Sequence, residues 1–299
     1  MSAARLETRG LGMQFEGLSA LSDLTLDIPA GQIRGLIGPN GAGKTTCFNC
    51  LTGFYKPTSG ELLLDGHRID GLNTHEMSAL GVSRTFQNIR LFGTMTAVEN
   101  VLVGQHVSML GRPHPDSLRR PHRNRAVAVA RSLPGVPHAL ATGLREVADA
   151  VARPASERRR ERVALARAQF LLRSVGLEGR ENFVARNLPY GDQRRLEIAR
   201  ALATRPRLLL LDEPTAGMNP QESSAVVGLI RWIRDEFDTT IVLIEHQMRV
   251  VMGVCEYISV LDYGRLIAEG TPAEVQRDQR VIEAYLGTPK AAGGSDVSP

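Results

Sequence analysis

A short glycine-rich segment, residues 38–45, constrains the fold of this chain more than any other feature of its sequence. The segment reads GPNGAGKT and fits the pattern G-x-x-x-x-G-K-[ST]. Residues 31–37 before it are typical of an apolar strand, and residues 44–51 are typical of a helix. Because such glycines let successive backbone N–H groups surround an anion at a helix start, the segment predicts a phosphate-binding loop.

The side chains of this segment indicate how a nucleotide would be held. Lys44 is expected to reach the β and γ phosphates, and Thr45 is expected to bind Mg²⁺. The expected nucleotide contacts are Gly38, Pro39, Asn40, Gly41, Ala42, Gly43, Lys44, Thr45 and Thr46. We interpret Cys47 and Cys50, in the same predicted helix, as packing residues rather than a metal or redox pair, because the chain has only one other cysteine, Cys255.

The rest of the sequence alternates strands and helices. Near its start, residues 6–15 and 21–28 are partly alternating runs that predict strands. Residues 207–212 (RLLLLD) form a continuous apolar run suited to a strand buried on both faces. A predicted helix over 222–237 and a predicted strand over 239–244 follow it. This alternation predicts a parallel sheet with crossover helices.

A basic segment, residues 112–162, accounts for the net charge of +4, because it contains 12 arginines and no lysine against 5 acidic residues. It has no Phe, Tyr or Trp, so we expect no nucleic-acid partner. Its first part is rich in proline and predicts a loop. Its end opens a predicted helix over 157–175, in which we expect one apolar face and one basic face. The core-facing set is Val163, Phe170 and Leu171, and the outward set is Arg158, Arg159 and Arg160.

Several protein classes do not fit this composition. No run reaches the roughly 18 consecutive apolar residues of a membrane span, and residues 1–10 lack the apolar part of a signal peptide, so we expect a cytosolic chain. Three cysteines are too few for a disulfide scaffold.

Two carboxylates follow the apolar run at the point where a parallel sheet binds its ligands. Asp212 would hold Mg²⁺ through a water, and Glu213 would be the general base that polarises the attacking water. His246 ends the next apolar strand and is therefore expected at the same edge of the sheet. Gln87 would be an ordinary surface amide if it stood alone.

Taken together, these motifs resemble the nucleotide-binding subunit of ABC transporters in order and spacing. In that family they are the Walker A loop, the Q-loop, the signature, the Walker B strand, the D-loop and the switch histidine. In this chain they are residues 38–45, Gln87, residues 188–195, residues 208–214, residues 216–219 and His246. The resemblance covers about residues 6–286 and implies ATP and Mg²⁺ as cofactors.

The resemblance also implies a fold. It is an α/β P-loop ABC ATPase with a RecA-like parallel-sheet core, an N-terminal antiparallel β region and a helical subdomain. Residues 1–287 would form one nucleotide-binding domain, followed by a disordered tail, 288–299. The expected catalytic core is 1–83 with 191–287, and the expected helical subdomain is 84–190 with an arginine-rich insertion at about 107–162.

The roles carried over from the family fall on particular residues. Gln87 would join Mg²⁺ and the water to the helical subdomain, so the implied magnesium residues are Thr45, Gln87 and Asp212. His246 would contact the γ phosphate, and the implied catalytic set is Glu213, His246, Gln87 and Lys44. Phe15 is either the aromatic residue that stacks on adenine or a core phenylalanine.

The signature departs from the family's commonest form, Leu-Ser-Gly-Gly-Gln. Here the residues that would face an ATP bound by a partner subunit are Pro189, Tyr190, Gly191 and Asp192. Pro189 has no hydroxyl to offer a phosphate, although Gly191 and the helix start still present N–H groups. The alternative is a proline-led helix start without a ligand.

Further stretches look like the ATP-binding subunits of branched-chain amino acid importers. These stretches are residues 84–92, 95–101, 191–200, 243–248, 269–272 and 284–287. This likeness implies an ATP-hydrolysing subunit at the cytoplasmic face of the inner membrane. Its implied partners are a second ATPase subunit, two membrane permeases and, indirectly, an extracytoplasmic solute-binding protein.

Other functions remain open from the sequence. Related ABC ATPases serve urea or amide import and lipopolysaccharide export, and a third alternative is a soluble ABC ATPase acting on nucleic acid or ribosomes. A non-hydrolysing ATP-binding protein would be expected to lack Glu213. Residues 87–100 either dock a permease helix or seal the helical subdomain, and Leu91, Phe92 and Met95 are the apolar residues concerned.

Overall fold

Two β-sheets organise the residues that the computed structural model describes, 2–109 and 155–286. The strands are β1 (Leu6–Phe15), β2 (Leu18–Ile28), β3 (Ile33–Ile37), β4 (Ser59–Leu64), β5 (His67–Arg68), β6 (Val82–Arg84), β7 (Leu208–Asp212), β8 (Thr240–Ile244), β9 (Tyr257–Asp262) and β10 (Arg265–Gly270). The first sheet is antiparallel with the order β2-β1-β4-β5. The second has the order β10-β9-β3-β8-β7-β6, and only its edge strand β10 runs antiparallel to its neighbour.

Helices cover and connect these sheets. They are α1 (Lys44–Leu51), α2 (Thr74–Leu80), α3 (Ala97–Met109), α4 (Ala155–Ser174), α5 (Tyr190–Ala203), α6 (Pro220–Phe237), α7 (Met248–Val254), α8 (Pro272–Val275) and α9 (Gln279–Leu286), with a short 3-10 turn at Ala185–Asn187. Every residue of β3, β7 and β8 is buried, as expected for parallel strands covered on both faces. The α/β fold with a parallel core, an antiparallel β region and helices is therefore confirmed.

Each face of the parallel sheet packs in a different apolar cluster. One contains Phe48 of α1 together with the buried residues of the antiparallel sheet. The other joins the opposite face to α3, α4, α5 and α6. Helix α1 thus lies between the two sheets, which fixes the loop that precedes it.

Helix α2 and strand β6 were not predicted from the sequence. Helix α2 begins at a capping box in which the side chain of Asn73 accepts from the N–H of Glu76, and the side chain of Glu76 accepts from the N–H of Asn73. An Asn followed three residues later by Glu was the signal for this helix start. Strand β6 is only three residues long and pairs with β7, so periodicity could not reveal it.

The predicted inward face of helix α4 was partly wrong. Leu171 is fully buried, but Val163 and Phe170 are 62% and 45% exposed. The buried stripe instead runs through Ala164, Ala168, Leu171, Leu172 and Val175, a helical repeat that leaves Val163 and Phe170 to one side. Arg159 and Arg160 are exposed as expected.

Three predictions concern residues that the structure does not describe. They are the loop at the start of the basic segment, most of the insertion at about 107–162, and the tail, 288–299. The division into a catalytic core and a helical subdomain stays a prediction, although β6 carries the sheet one residue past the expected boundary at residue 83. Within residues 2–109 and 155–286, no helix has the length and apolar character needed to cross a bilayer.

The three cysteines are buried and unpaired. Burial raises the pKa of the Cys50 and Cys255 thiols to about 12 and raises the pKa of Cys47 further. Protonated thiols are poor nucleophiles and poor metal ligands. This environment agrees with their interpretation as packing residues.

Candidate functional site

The glycine-rich loop lies between β3 and α1, as its pattern predicts. The ammonium group of Lys44 donates to the carbonyl oxygens of Gly38 and Pro39 at 2.7 and 2.9 Å. Burial lowers the pKa of Lys44, and the carboxylates of Glu213 and Asp212 oppose that shift. The loop therefore folds around a buried cation.

The start of α1 is open to an anion. Its N-cap, Gly43, has the left-handed conformation (φ 98°), and no side chain caps the helix. A Cβ on Gly43 would stand 2.7 Å from the carbonyl oxygen of Ala20, so only glycine fits this close approach. Uncapped N–H groups at a helix N-terminus, beside a lysine, suit a phosphate.

A cavity of about 370 Å³ opens at this loop. It is lined on one side by Asn40, Gly41, Ala42, Gly43, Lys44, Thr45 and Thr46, and on the other by Gln87, Glu213 and His246. Most of the expected nucleotide contacts and all four expected catalytic residues, Lys44 included, therefore face one space. Gly38 and Pro39 do not line this cavity, and their carbonyl oxygens accept from Lys44 instead.

Three side chains from distant parts of the sequence meet at this cavity. Oε1 of Glu213 accepts from Nε2 of Gln87 at 3.1 Å and lies 2.9 Å from Nε2 of His246. Glu213 itself has the left-handed backbone conformation (φ 49°), which is uncommon for a residue with a side chain and is concentrated at functional sites. The carboxylate is thus held between an amide and an imidazole at the mouth of the loop.

The other predicted carboxylate, Asp212, is buried and already has a partner. Its Oδ2 accepts from Nη2 of Arg84 at 2.7 Å, and Nη1 of Arg84 donates to Asn49 at 2.6 Å. The backbone N–H of Asp212 donates to the hydroxyl of Thr85. The sequence did not identify Arg84 as the partner of Asp212. The residues of one strand do not indicate which carboxylate of a neighbouring strand an arginine will contact.

A second buried carboxylate was also missed. Glu245, directly before His246, accepts from the backbone N–H and the hydroxyl of Thr215, and its other oxygen accepts from the N–H of His246 at 3.0 Å. It therefore ties the chain after Glu213 to the chain that carries His246. Its signal was a charged residue at the end of an otherwise apolar strand.

The structure keeps the signature away from the phosphate loop of the same chain. Pro189 is the N-cap of α5, and Gly191 lines a separate cavity of about 400 Å³ with Met218 and Glu222. Tyr190 is 48% exposed and packs against Gly217. Asp192 is buried in ion pairs with Arg180 and Arg195, so its carboxylate is turned away from solvent.

Phe15 is not among the residues that line the phosphate-loop cavity. It is half-buried against the apolar cluster that contains Phe48. Its ring meets that of Tyr55 edge-on, with 5.1 Å between the ring centres. Leu18 and Tyr263 line the cavity instead, and they are 71% and 86% exposed. This placement favours the alternative of a core phenylalanine.

The residues also fit a magnesium ion that is shared with a nucleotide. Thr45 lies in the first turn of helix α1 and lines the cavity, and Asp212 ends strand β7. In the described part of the chain no three His, Cys, Asp or Glu side chains form a metal cage, so phosphate oxygens and water would have to complete the coordination. Mg²⁺ commonly keeps waters and binds substrate phosphates in this manner.

Comparisons with known proteins identify the family of this chain. Residues 21–216 match the family model of ABC transporters, and residues 265–291 match that of branched-chain amino acid ATP-binding cassette transporters. The chain is 44% identical to the high-affinity branched-chain amino acid transport ATP-binding protein BraF of Pseudomonas aeruginosa, covering 96% of this chain and 99% of BraF. It is 43% identical to LivG of Escherichia coli K12 over the same shares.

A solved structure gives the same fold. An ATP-binding cassette of an ABC transporter in its ADP conformation superposes with a TM-score of 0.70 at 25% identity, covering 96% of this chain and all of that one. The sequence resemblance is thereby confirmed. This chain belongs to the ABC transporter family and is an ATP-hydrolysing subunit of its branched-chain amino acid type.

Proposed function

We propose that this chain hydrolyses ATP at the cavity between residues 40–46 and the Gln87, Glu213 and His246 cluster, and so drives import of branched-chain amino acids. The observation that carries the catalytic part is this cluster, because the Glu213 carboxylate lies at the mouth of the glycine-rich loop and could act there as a base. Bound Mg²⁺ would neutralise phosphate charge and orient the γ phosphoryl group. Thr45 and Asp212 would hold the ion.

The roles of the remaining residues follow from their positions. Lys44 would leave its carbonyl partners for the phosphates, and the N–H groups of 43–46 would surround the β phosphate. Glu213 would accept the proton of the attacking water. Gln87 and His246, both now bonded to Glu213, would hold that water and the γ phosphate.

A dimer is the form in which the site would be complete. Gly191 and the phosphate loop line different cavities of one chain, so a nucleotide held by Lys44 would need a signature from a second ATPase subunit. The open N-terminus of α5, with no side-chain cap at Pro189, supports this role for Gly191. The partner is either a different ATPase or a second copy of this chain.

The substrate would be recognised elsewhere in the assembly. BraF and LivG are named for high-affinity branched-chain amino acid transport, and this chain spans 99% of each. By that likeness it would work at the cytoplasmic face of the inner membrane with two permeases and an extracytoplasmic solute-binding protein. Urea or short amides are the alternative solutes.

Uptake by the assembled transporter tests this assignment. In membranes that contain the complex, we expect labelled leucine uptake that requires ATP and is competed by isoleucine and valine. An assembly without this chain is the control. If urea or acetamide competes with the labelled solute, and isoleucine and valine do not, the branched-chain assignment is wrong and amides are the substrate class.

An exposed apolar groove is the proposed docking site for a permease. The groove of about 740 Å³ lies between α1, α2, α3 and α5. Phe54, Phe92 and Val103 line it, with 61%, 46% and 41% of their surface exposed. Leu91, by contrast, is half-buried and packs on the core, so the sealing alternative fits Leu91 but not Phe92.

Replacing Phe92 by Asp should therefore uncouple transport without unfolding the subunit. A charge in the groove would oppose an apolar helix, and we expect amino acid uptake to fall by about tenfold or more. ATP binding by the isolated chain should stay unchanged. Phe183→Asp, at a phenylalanine that is 53% exposed outside the groove, is the matched control. Normal uptake with Phe92→Asp, or a subunit that no longer folds, would contradict the docking role.

A further inference from the structure

Two buried charged residues of helix α5 hold the backbone on both sides of Gln87. Nη1 of Arg194 donates to the carbonyl oxygen of Phe86 at 2.5 Å, and Nη2 donates to the carbonyl oxygen of Gln87. Oε1 of Glu197 accepts from the backbone N–H groups of Phe86 and Arg90, at 3.4 and 3.3 Å. The loop around Gln87 is therefore bonded to one helix through its own backbone.

Stability alone does not account for this pair. The side chains of Arg194 and Glu197 are 3% and 1% exposed, and their charged atoms are 3.5 Å apart. Buried ion pairs contribute little net stability, because desolvation offsets the attraction, and apolar residues of similar volume often serve as well. What distinguishes this pair is that its hydrogen bonds go to the loop backbone.

Arg194 also touches the signature. Its Nη2 donates to the hydroxyl of Tyr190 at 3.0 Å, and its guanidinium lies 5.5 Å from the centre of that ring. Tyr190 in turn packs against Gly217, in the segment after Glu213. One guanidinium thus contacts both Tyr190, which would face a partner's nucleotide, and the backbone of Gln87, whose side chain bonds Glu213.

We propose that Arg194 and Glu197 are positioning residues that place Gln87 beside Glu213 according to the position of Tyr190. This rests on the proposed function, in which Gln87 serves the nucleotide of its own chain and residues 189–192 serve that of the partner. A movement of Tyr190 on contact with the partner's nucleotide passes through Arg194 to the carbonyl of Gln87. The pair links the two sites of a dimer over one turn of helix.

The test removes both members of the pair together. In the double variant Arg194→Met/Glu197→Met both side chains keep their approximate length, and neither member of the pair is left without the other. We expect a melting temperature close to that of the wild type, a KM for ATP within about twofold, and a kcat at least about tenfold lower in the assembled complex, because bonds to charged groups are lost. The KM-against-kcat split is the readout that a merely structural role would not produce.

Hydrogen exchange tests the contact independently of catalysis. In the isolated chain, Glu197→Met should speed exchange of the amides of Phe86 and Arg90 by about tenfold or more, since both lose their acceptor. Glu197→Gln keeps a carbonyl oxygen at the same place and should restore protection and most of kcat. Arg173→Met breaks an exposed ion pair with Glu178, in which each side chain is about two-thirds exposed, and should change neither.

The outcomes separate the possible failures. Wild-type kcat in the folded double variant overturns the proposal, and so does a loss of kcat that accompanies an equal loss of ATP affinity or a lower melting temperature. Unchanged exchange at Phe86 and Arg90 in Glu197→Met overturns it as well. If Glu213→Gln keeps full ATPase activity, the proposed function fails, whereas the exchange result still reports whether the helix holds the loop.

Discussion

Replacing Glu213 by Gln is expected to lower the ATPase rate of the assembled complex by about 10²-fold or more, the range in which a lost general base falls. Glutamine keeps the shape of the side chain and its bonds to Gln87 and His246, but it cannot accept the proton of the attacking water. Phosphate release measured at saturating MgATP gives the rate. Glu178→Gln, at a glutamate 67% exposed on the surface, controls for loss of one negative charge.

The same variant should report on the dimer. Because hydrolysis is what would reopen the closed form, Glu213→Gln should accumulate as an ATP-bound dimer in light scattering, whereas the wild type with ADP should not. ATP affinity should be kept, since Glu213 lies at the mouth of the loop and not under it. Turnover at the wild-type rate would remove Glu213 from the mechanism, and a strictly monomeric variant with MgATP bound would contradict the shared site.

Replacing Lys44 by Ala is expected to act on binding instead. The ammonium is the cation that the loop surrounds, and bonds to charged groups contribute about 1.5–3 kcal/mol each. We expect the dissociation constant for MgATP to rise by about 10- to 100-fold in equilibrium titrations with a fluorescent analogue. Lys56→Ala, at an exposed lysine outside the cavity, is the matched control.

The two variants thus separate binding from chemistry. Lys44→Ala should be partly rescued by raising the ATP concentration, whereas Glu213→Gln should not. An unchanged affinity in Lys44→Ala, with the protein folded, would show that the loop does not bind phosphate through this residue.

Much of the fold follows from local sequence. The strand before Gly38, the helix Lys44–Leu51 and the buried strand that ends at Asp212 are each set by periodicity, glycine position and apolar runs over a few residues. Helix α4 shows the limit of such reasoning. Its apolar residues exceed what one face can hold, and only packing against α3 and α5 decided that Leu171 is buried while Phe170 lies beside Trp232.

For the candidate site, the residue types came from the sequence and the contacts came from the fold. The sequence placed Glu213 and His246 at the ends of two apolar strands, and neighbouring parallel strands bring such ends together. It gave no sign that Asp212 pairs with Arg84, or that Asp192 turns inward to Arg180. Each of these pairs depends on which elements become neighbours.

What the sequence by itself determined is the glycine-rich loop, most of the order of strands and helices, and the charged residues available to the site. These are properties of consecutive residues, whose spacing sets backbone conformation. What only the tertiary structure decided is that Gln87 meets Glu213 across 126 positions of the chain, and that Arg194 and Glu197 hold the backbone beside it. Such contacts depend on strand order and helix packing, because hydrogen bonds act over about 3 Å in space whatever the separation along the chain.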